Sequence, residues 1–147
     1  IREEAGEAAV GHDFGFRCLR LDSSNMEDVY YEPEKLGQQA LFSQVDNVKQ
    51  GRTAEDLLFQ VMLDMGIPLS SKISERDIAG KKVFDVGEGF LLACFDSAVT
   101  EEVVTEIAKQ KPQYAVLRDS SMANDSVATN FEQIFASYSP ETERKVL

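Results

Sequence analysis

The sequence predicts an α/β fold in which a mixed β-sheet, with a hairpin and a βαβ unit, is packed by about four helices. First, a 147-residue chain with 43% hydrophobic residues buries about 68 to 70% of its unfolded surface, enough for one core. Second, a continuous apolar run, Phe90 to Phe95, follows a glycine turn, which is typical of a buried strand after a hairpin. Third, apolar residues at helical spacing separate the strand-like segments. An α+β arrangement is the alternative.

The N-terminal part of the sequence suggests an origin within a longer chain. Residues 1–11 resemble the end of a charged upstream helix that Gly11 terminates. We therefore expect residues 12–147 to form a single C-terminal domain. Segment Phe14 to Leu21 alternates apolar residues on both sides, which predicts a strand inside a sheet, with Phe14, Phe16 and Cys18 on one face and Leu19 and Leu21 on the other.

Two helices are predicted before the central strands. After a polar loop over residues 22–32, Pro33 can begin a helix, which Gly51 ends. Thr53 is the expected N-cap of the next helix, with Asp56 placed for a capping box. Gly66 and Pro68 stop this second helix. The apolar stripes are Leu36, Ala40, Leu41, Val45 and Val48 in the first helix, and Leu57, Leu58, Val61, Met62 and Met65 in the second.

The C-terminal half predicts the hairpin and the crossover unit. Lys81 to Asp96 forms two strands joined by the Gly87-Glu88-Gly89 turn. Thr100 is the expected cap of a helix that Pro112 ends, and Tyr114 to Leu117 then forms a strand parallel to Phe90–Phe95. A last helix and a short extended segment ending at Leu147 complete the chain. The stripe of this last helix is Val127, Phe131, Ile134, Phe135 and Tyr138.

Charge is the strongest compositional signal. The chain has 15 basic and 26 acidic residues, a net charge of −11, and so acidic a surface repels phosphate backbones. DNA contact through this segment is therefore disfavoured. No apolar run approaches the roughly 20 residues that span a bilayer, and the first residues are too acidic for a signal peptide. We expect a cytoplasmic protein without membrane contact.

Few residues have the types and spacing that catalysis needs. Cys18 and Cys94 lie in apolar segments without CxxC spacing or a neighbouring histidine, which favours reduced core thiols over a disulfide or metal site. His12 is the sole histidine, so no second histidine can share a metal or complete a relay. The common nucleophile, nucleotide and metal motifs are absent from the sequence, and we assign no catalytic, cofactor-binding or metal residue.

Two segments still merit attention as candidate sites. Phe84 to Gly89 faintly resembles a glycine-rich cofactor loop, but its spacing differs by one residue and it joins two strands, which favours a simple hairpin turn. Residues 118–126 leave a parallel strand and enter a helix, where open α/β sheets place ligands. Capping and loop-tethering roles explain the same residues. This partner or ligand loop has five candidate residues: Arg118, Asp119, Ser120, Asn124 and Asp125.

Four sequence blocks together resemble a known family. They are FGFRCLRLDSSN, TAEDLLFQVMLDMG, IAGKKVFDVGEGFLLACFD and RDSSMANDSVATNFEQIF. In this order they are similar to the C-terminal region of the methyltransferase (Mod) subunits of type III restriction-modification systems, over about residues 12–147. The resemblance implies a parent that transfers a methyl group from S-adenosylmethionine to the exocyclic nitrogen of adenine in a short asymmetric DNA site.

The resemblance also implies partners for that parent. Mod subunits form dimers and join an ATP-dependent helicase-nuclease (Res) subunit, and they hold DNA through their upstream domains. The family's Asp-Pro-Pro-Tyr motif and cofactor loop are absent from these 147 residues, so the fragment is expected to be inactive and free of cofactor. The expected role is dimerisation, Res docking or bracing of upstream domains. The alternatives are a stand-alone regulatory module that binds a small ligand or protein near Asp119, and a hydrolase, which lacks an evident nucleophile-base pair.

Overall fold

The computed structural model describes residues 15–27 and 47–147, and this part of the chain is built around a five-stranded mixed sheet. The strands lie in the order of the sequence. β1 (Ile73–Ile78), β2 (Lys81–Val86) and β3 (Leu91–Cys94) are antiparallel neighbours, whereas β4 (Tyr114–Leu117) and β5 (Glu143–Val146) continue parallel to β3. The predicted α/β class with a mixed sheet is confirmed.

Helices cover both faces of this sheet. Helix α1 (Ala54–Asp64) packs on the face that carries Phe84, Leu91 and Val116. Helices α2 (Glu101–Lys109) and α3 (Asp125–Tyr138) pack on the opposite face, against Val83, Leu92 and Leu117. Because β3 has apolar residues buried on both faces, it forms the centre of the core, as its uninterrupted apolar sequence predicts.

Helix α1 begins where the capping box predicts. The Thr53 hydroxyl accepts a hydrogen bond from the Asp56 N–H (3.2 Å), and the Asp56 carboxylate accepts one from the Thr53 N–H (2.8 Å). The helix ends before Gly66, which has φ +68°. Leu57, Leu58, Val61 and Met62 of its predicted stripe are buried, and Met65, just beyond the helix, packs against the same core.

The turn between β2 and β3 has the geometry of a tight hairpin. Gly87, Glu88 and Gly89 all have positive φ. A Cβ atom at Gly87 would lie 3.2 Å from the Phe90 Cβ, a tight contact that adds to the strain of a side chain at positive φ. The interpretation of the Phe84 to Gly89 segment as a hairpin turn is confirmed.

The two parallel connections run through α2 and α3. Val103, Val104, Ile107 and Ala108 face the core from α2, as predicted. Thr100 does occupy the N-cap position of α2, but its side chain makes no capping hydrogen bond. In α3, Val127, Phe131 and Phe135 are buried, whereas Ile134 is half-buried and Tyr138 is exposed. The predicted terminal extended segment forms β5.

The prediction of a strand over Phe14 to Leu21 is wrong within residues 15–21. These residues pair with no strand, and the side chains of Phe16 and Leu21 are 91% and 93% exposed. Consequently Cys18 is exposed rather than buried in the core, while Cys94 is buried as predicted. Phe14, His12, the expected helix end at residues 1–11 and most of the helix predicted after Pro33 lie outside the described residues.

Strand β1 is an element that the sequence pattern did not predict. Its residues Glu75, Arg76 and Asp77 are exposed, so the strand lacks the apolar alternation of its neighbours. It forms because all of its residues pair with β2, from Ile73 opposite Val86 to Ile78 opposite Lys81. Both edge strands, β1 and β5, carry charged side chains, which disfavours the addition of further strands.

Candidate functional site

The candidate loop lies at the edge of the sheet where the parallel strands end. β4 leads into a short 3₁₀ turn, Asp119–Ser121, and Asn124 then caps α3. The carboxyl ends of β3 and β5 lie at the same edge because both are parallel to β4. The structure thus places all five candidate residues where open α/β sheets hold ligands.

Most polar groups of this loop are used in tethering it. The Asp119 N–H donates to the Leu147 carbonyl (3.0 Å), which joins the loop to the end of β5. Buried Ser121 accepts from the Val99 N–H through its carbonyl (2.7 Å), and the Ala123 N–H donates back to the Val99 carbonyl (2.9 Å). A parallel bridge between Val99 and Met122 therefore joins the loops that follow β3 and β4.

The remaining candidate residues have local structural roles or face solvent. Asn124 caps α3, since its Oδ1 accepts from the Val127 N–H (3.2 Å). Arg118 is half-buried and interacts with other residues of the chain, whereas Asp119, Ser120 and Asp125 are exposed. The exposed acidic groups of Asp119 and Asp125 can form hydrogen bonds with a basic partner, but no nucleophile stands beside a base in the described loop.

Electrostatics at this edge disfavour an anionic ligand. Helix N-termini attract phosphate through their dipoles and free N–H groups. Here Glu101 and Glu102 occupy the first turn of α2, and Asp125 that of α3. Their carboxylates already complement the positive helix ends and repel further negative charge. A nucleotide or other phosphate is therefore a poor fit to the loop.

A buried carboxylate, that of Asp85, lies in β2, which β3 separates from β4 and the candidate loop. Asp85 is 1% exposed, and its Oδ1 accepts from the Gly89 N–H (2.5 Å), which fixes the hairpin turn. Its second oxygen forms an ion pair with the Arg76 guanidinium, which also donates to the Gln110 side chain (3.3 Å). Both oxygens are occupied, so this pair acts as a structural clamp between β1, the turn and the end of α2.

Sequence reasoning missed this clamp because Arg76 lies in a strand that was not predicted. The available signal was an acid within an apolar strand, Asp85 between Phe84 and Val86. Such an acid is buried only when it is paired. The other buried polar pair, Ser139 with Thr142, is also structural: the Thr142 hydroxyl donates to the Pro112 carbonyl (2.6 Å) and joins the connections before β4 and β5.

An open groove of about 450 Å³ lies beside α1 and the exposed segment at residues 15–21. Leu58, Phe59, Ile73 and Phe84 contribute its apolar lining, and Arg17, Cys18 and Leu19 line it from the segment. Two acids, Glu55 and Glu75, also line the groove. Apolar and charged side chains line this groove together, and sequence reasoning had assigned it no role.

The buried Cys94 thiol is not an activated nucleophile. Burial raises the pKa of the Cys94 thiol, which keeps it protonated and inert. Among the described residues, no three His, Cys, Asp or Glu side chains are grouped so that they could hold a metal ion. Over the same residues, no helix combines the length and apolar character that crossing a bilayer requires.

Comparison with known proteins gives no independent identification. The chain matches no protein-family model, and no curated protein is significantly similar to it.

Proposed function

We propose that this chain is the non-catalytic C-terminal assembly domain of a site-specific DNA adenine methyltransferase of a type III restriction-modification system. In this role it supports dimerisation of Mod, docking of the Res subunit or bracing of the upstream domains. Methyl transfer from S-adenosylmethionine and contact with DNA belong to upstream domains of the parent. Since such systems act on cellular DNA, the proposed location is the cytoplasm.

One observation carries the proposal: three of the four sequence blocks that resemble Mod subunits build the framework of the fold. TAEDLLFQVMLDMG forms α1 with its capping box, and IAGKKVFDVGEGFLLACFD forms the β2–β3 hairpin. RDSSMANDSVATNFEQIF forms the tethered loop and most of α3. Because the resemblance extends over capping, turn and core residues, it concerns the whole domain and not one short motif. These residues stabilise the fold and have no chemical role.

The form of the surface supports an assembly role. Large apolar side chains are exposed at Phe16 and Leu21, which belong to the first of the four blocks, and the groove beside α1 adjoins them. Large exposed apolar patches mark interaction sites, and protein contacts are among them. A small-ligand site near Asp119 is less favoured, because the loop is tethered by its own backbone and surrounded by acids.

Two experiments test the proposal: sequencing of the reading frame upstream of this chain, and retention of purified Mod or Res by the tagged chain. The reading frame upstream should encode an Asp-Pro-Pro-Tyr motif and a cofactor loop. Tagged residues 1–147 should retain the purified longer Mod chain or the Res subunit, whereas a tagged acidic protein of similar size and charge should retain neither. An upstream frame without the motif, or a tagged chain that retains no subunit, would contradict the proposal.

A further inference from the structure

We infer that the outer edge of β5 takes up an extended strand of a partner protein, with one side chain of that strand in a groove beside Tyr114. The inference goes beyond the proposed function, because it rests on the backbone geometry of this chain and not on the family of the partner. Three features of the described residues carry it: outward-facing backbone groups on β5, charged side chains that are held away from the edge, and a groove that adjoins the strand.

The outer edge of β5 presents backbone groups at the spacing of a β-ladder. Among the described residues, β5 is the last strand of the sheet and pairs with β4 alone. The N–H groups of Glu143 and Leu147 donate to carbonyls of β4 and of the residue before it, each at 2.9 Å. In a parallel ladder, residues that bond to one neighbour alternate with residues whose N–H and C=O point the other way. Arg144 and Val146 therefore direct their backbone groups away from β4.

The charged side chains of β5 are held away from this edge. Charge on an edge strand normally disfavours the addition of a further strand, and β5 carries Glu143, Arg144 and Lys145. However, the Arg144 guanidinium pairs with Glu132 of α3 (3.2 Å), and the Lys145 ammonium pairs with Asp64 of α1 (3.2 Å). Because α1 and α3 lie on opposite faces of the sheet, these two charges are drawn over the faces and leave the edge itself accessible.

A groove of about 340 Å³ adjoins the same strand. Met65 and Tyr114 line it together with Asp64 and the first three residues of β5. The Tyr114 ring also contacts that of Phe90, which is 44% exposed, with the ring centroids 5.3 Å apart. The lining is partly apolar and partly charged, and the groove is open to solvent. It therefore suits one apolar or aromatic side chain that reaches in from the edge of the sheet.

An extended peptide matches all three features. When a strand is added to a sheet edge, main-chain hydrogen bonds provide affinity and pockets for alternate side chains provide specificity. Every second side chain of the added strand lies on the face that carries Met65 and Tyr114, so one of them can enter the groove. On the opposite face, Val146 is 42% exposed and can contact the next side chain. A small molecule or a nucleic acid would leave the outward N–H and C=O groups of Arg144 and Val146 without this pairing.

Amide hydrogen exchange on residues 1–147, followed by NMR, tests whether the edge is free. The N–H groups of Arg144 and Val146 should exchange at least about tenfold faster than that of Lys145, which faces β4. If all three amides are equally protected, the edge is already paired and the inference is overturned.

NMR titration with synthetic peptides measures binding to the edge. The probes are peptides of about eight residues in which valine and threonine alternate, because both favour extended structure. The central valine is replaced by serine, leucine or phenylalanine. The leucine or phenylalanine peptide should bind with a dissociation constant of about 10 to 500 μM and slow the exchange at Arg144 and Val146. The serine peptide should bind at least about threefold more weakly, because it places no apolar group in the groove. If no peptide binds, or if all bind equally well, the inference is overturned.

Val146→Pro removes an outward N–H at a position where an edge strand tolerates proline, and it should weaken peptide binding at least about tenfold. The matched control, Val146→Thr, keeps the N–H and a β-branched side chain, and it should bind within about twofold of the wild type. Thermal unfolding checks that each variant is folded. N-methylation of the peptide amides leaves the protein unchanged and should also abolish binding. If Val146→Pro or the methylated peptide binds like its unmodified counterpart, the inference is overturned, and the capture of Mod or Res still decides the proposed function separately.

Discussion

Leu92→Ala is the substitution that tests the sheet order most sharply. Leu92 is fully buried in β3, opposite Asp85 of β2 and Ala115 of β4. Its side chain faces the core that α2 and α3 cover. If β3 is the central strand, β2 and β4 hold it on both sides, and α2 and α3 cover Leu92. The residues around Leu92 then cannot move in to fill the space left by a smaller side chain.

The expected cost follows from the removed atoms and from the cavity. Leucine to alanine removes the equivalent of three methylene groups, worth about 0.8 kcal/mol each, or about 2.4 kcal/mol in transfer free energy. A cavity that does not collapse adds to this and brings leucine-to-alanine substitutions to at most about 5 kcal/mol. Because β3 is held by a strand on each side, we expect a loss of about 3 to 5 kcal/mol in the free energy of unfolding.

Reversible urea denaturation, followed by circular dichroism, measures this loss. Leu63→Ala is the matched control, because it makes the same chemical change at a residue that is 60% exposed, where a loss below about 0.5 kcal/mol is expected. A loss below about 1 kcal/mol for Leu92→Ala would show that β3 is peripheral and that the sheet order is wrong.

Four further predictions concern the helix cap, its pH dependence, DNA and the cofactor. Thr53→Ala should cost about 1 kcal/mol by removing the cap of α1, measurable in the same denaturation assay. The Thr53 N–H and hydroxyl donate to the Asp56 carboxylate and lower its pKa below the ordinary 3.8. The ionised carboxylate therefore stabilises the fold above pH 3.8, and this stabilisation is lost as the pH falls through the lowered pKa of the folded state. Asp56→Asn should reduce this pH dependence of the free energy of unfolding. By fluorescence anisotropy at about 100 mM salt the chain should not bind duplex DNA, and a dissociation constant below about 10 μM that weakens steeply with salt would contradict this. Calorimetric titration should detect no S-adenosylmethionine binding, and micromolar affinity would refute the assignment of the cofactor to upstream domains.

Elements with strong local signals were predictable from the sequence. The capping box at Thr53 and Asp56 fixes the start of α1, and the glycines at 87 and 89 fix the hairpin turn, because each signal acts over a few residues. The buried nature of β3 follows from its uninterrupted apolar run, and its parallel pairing with β4 follows from the helix between them.

Elements without a local apolar pattern were not predicted. β1 pairs with β2 across the two-residue turn Ala79–Gly80, in which both residues have positive φ, and Arg76 of β1 pairs with Asp85. The half-polar sequence of β1 lacks the apolar alternation that indicates a strand. Segment Gly15–Leu21 has the alternation of a strand, but alternation describes side-chain period and says nothing about whether a partner strand is free. The same limit applies to the candidate loop: its position after β4 was predictable, whereas its tethering to Val99 and Leu147 was not.

The most direct test of the proposed assembly role is the mass of the complex formed with the Res subunit. Light scattering coupled to size-exclusion chromatography should compare the longer methyltransferase chain, intact and truncated before residue 12, each mixed with Res. The intact chain should form a complex that contains both subunits, and the truncated chain, still able to bind S-adenosylmethionine, should fail to reach that mass. A truncated chain that assembles to the same mass as the intact one would contradict the account.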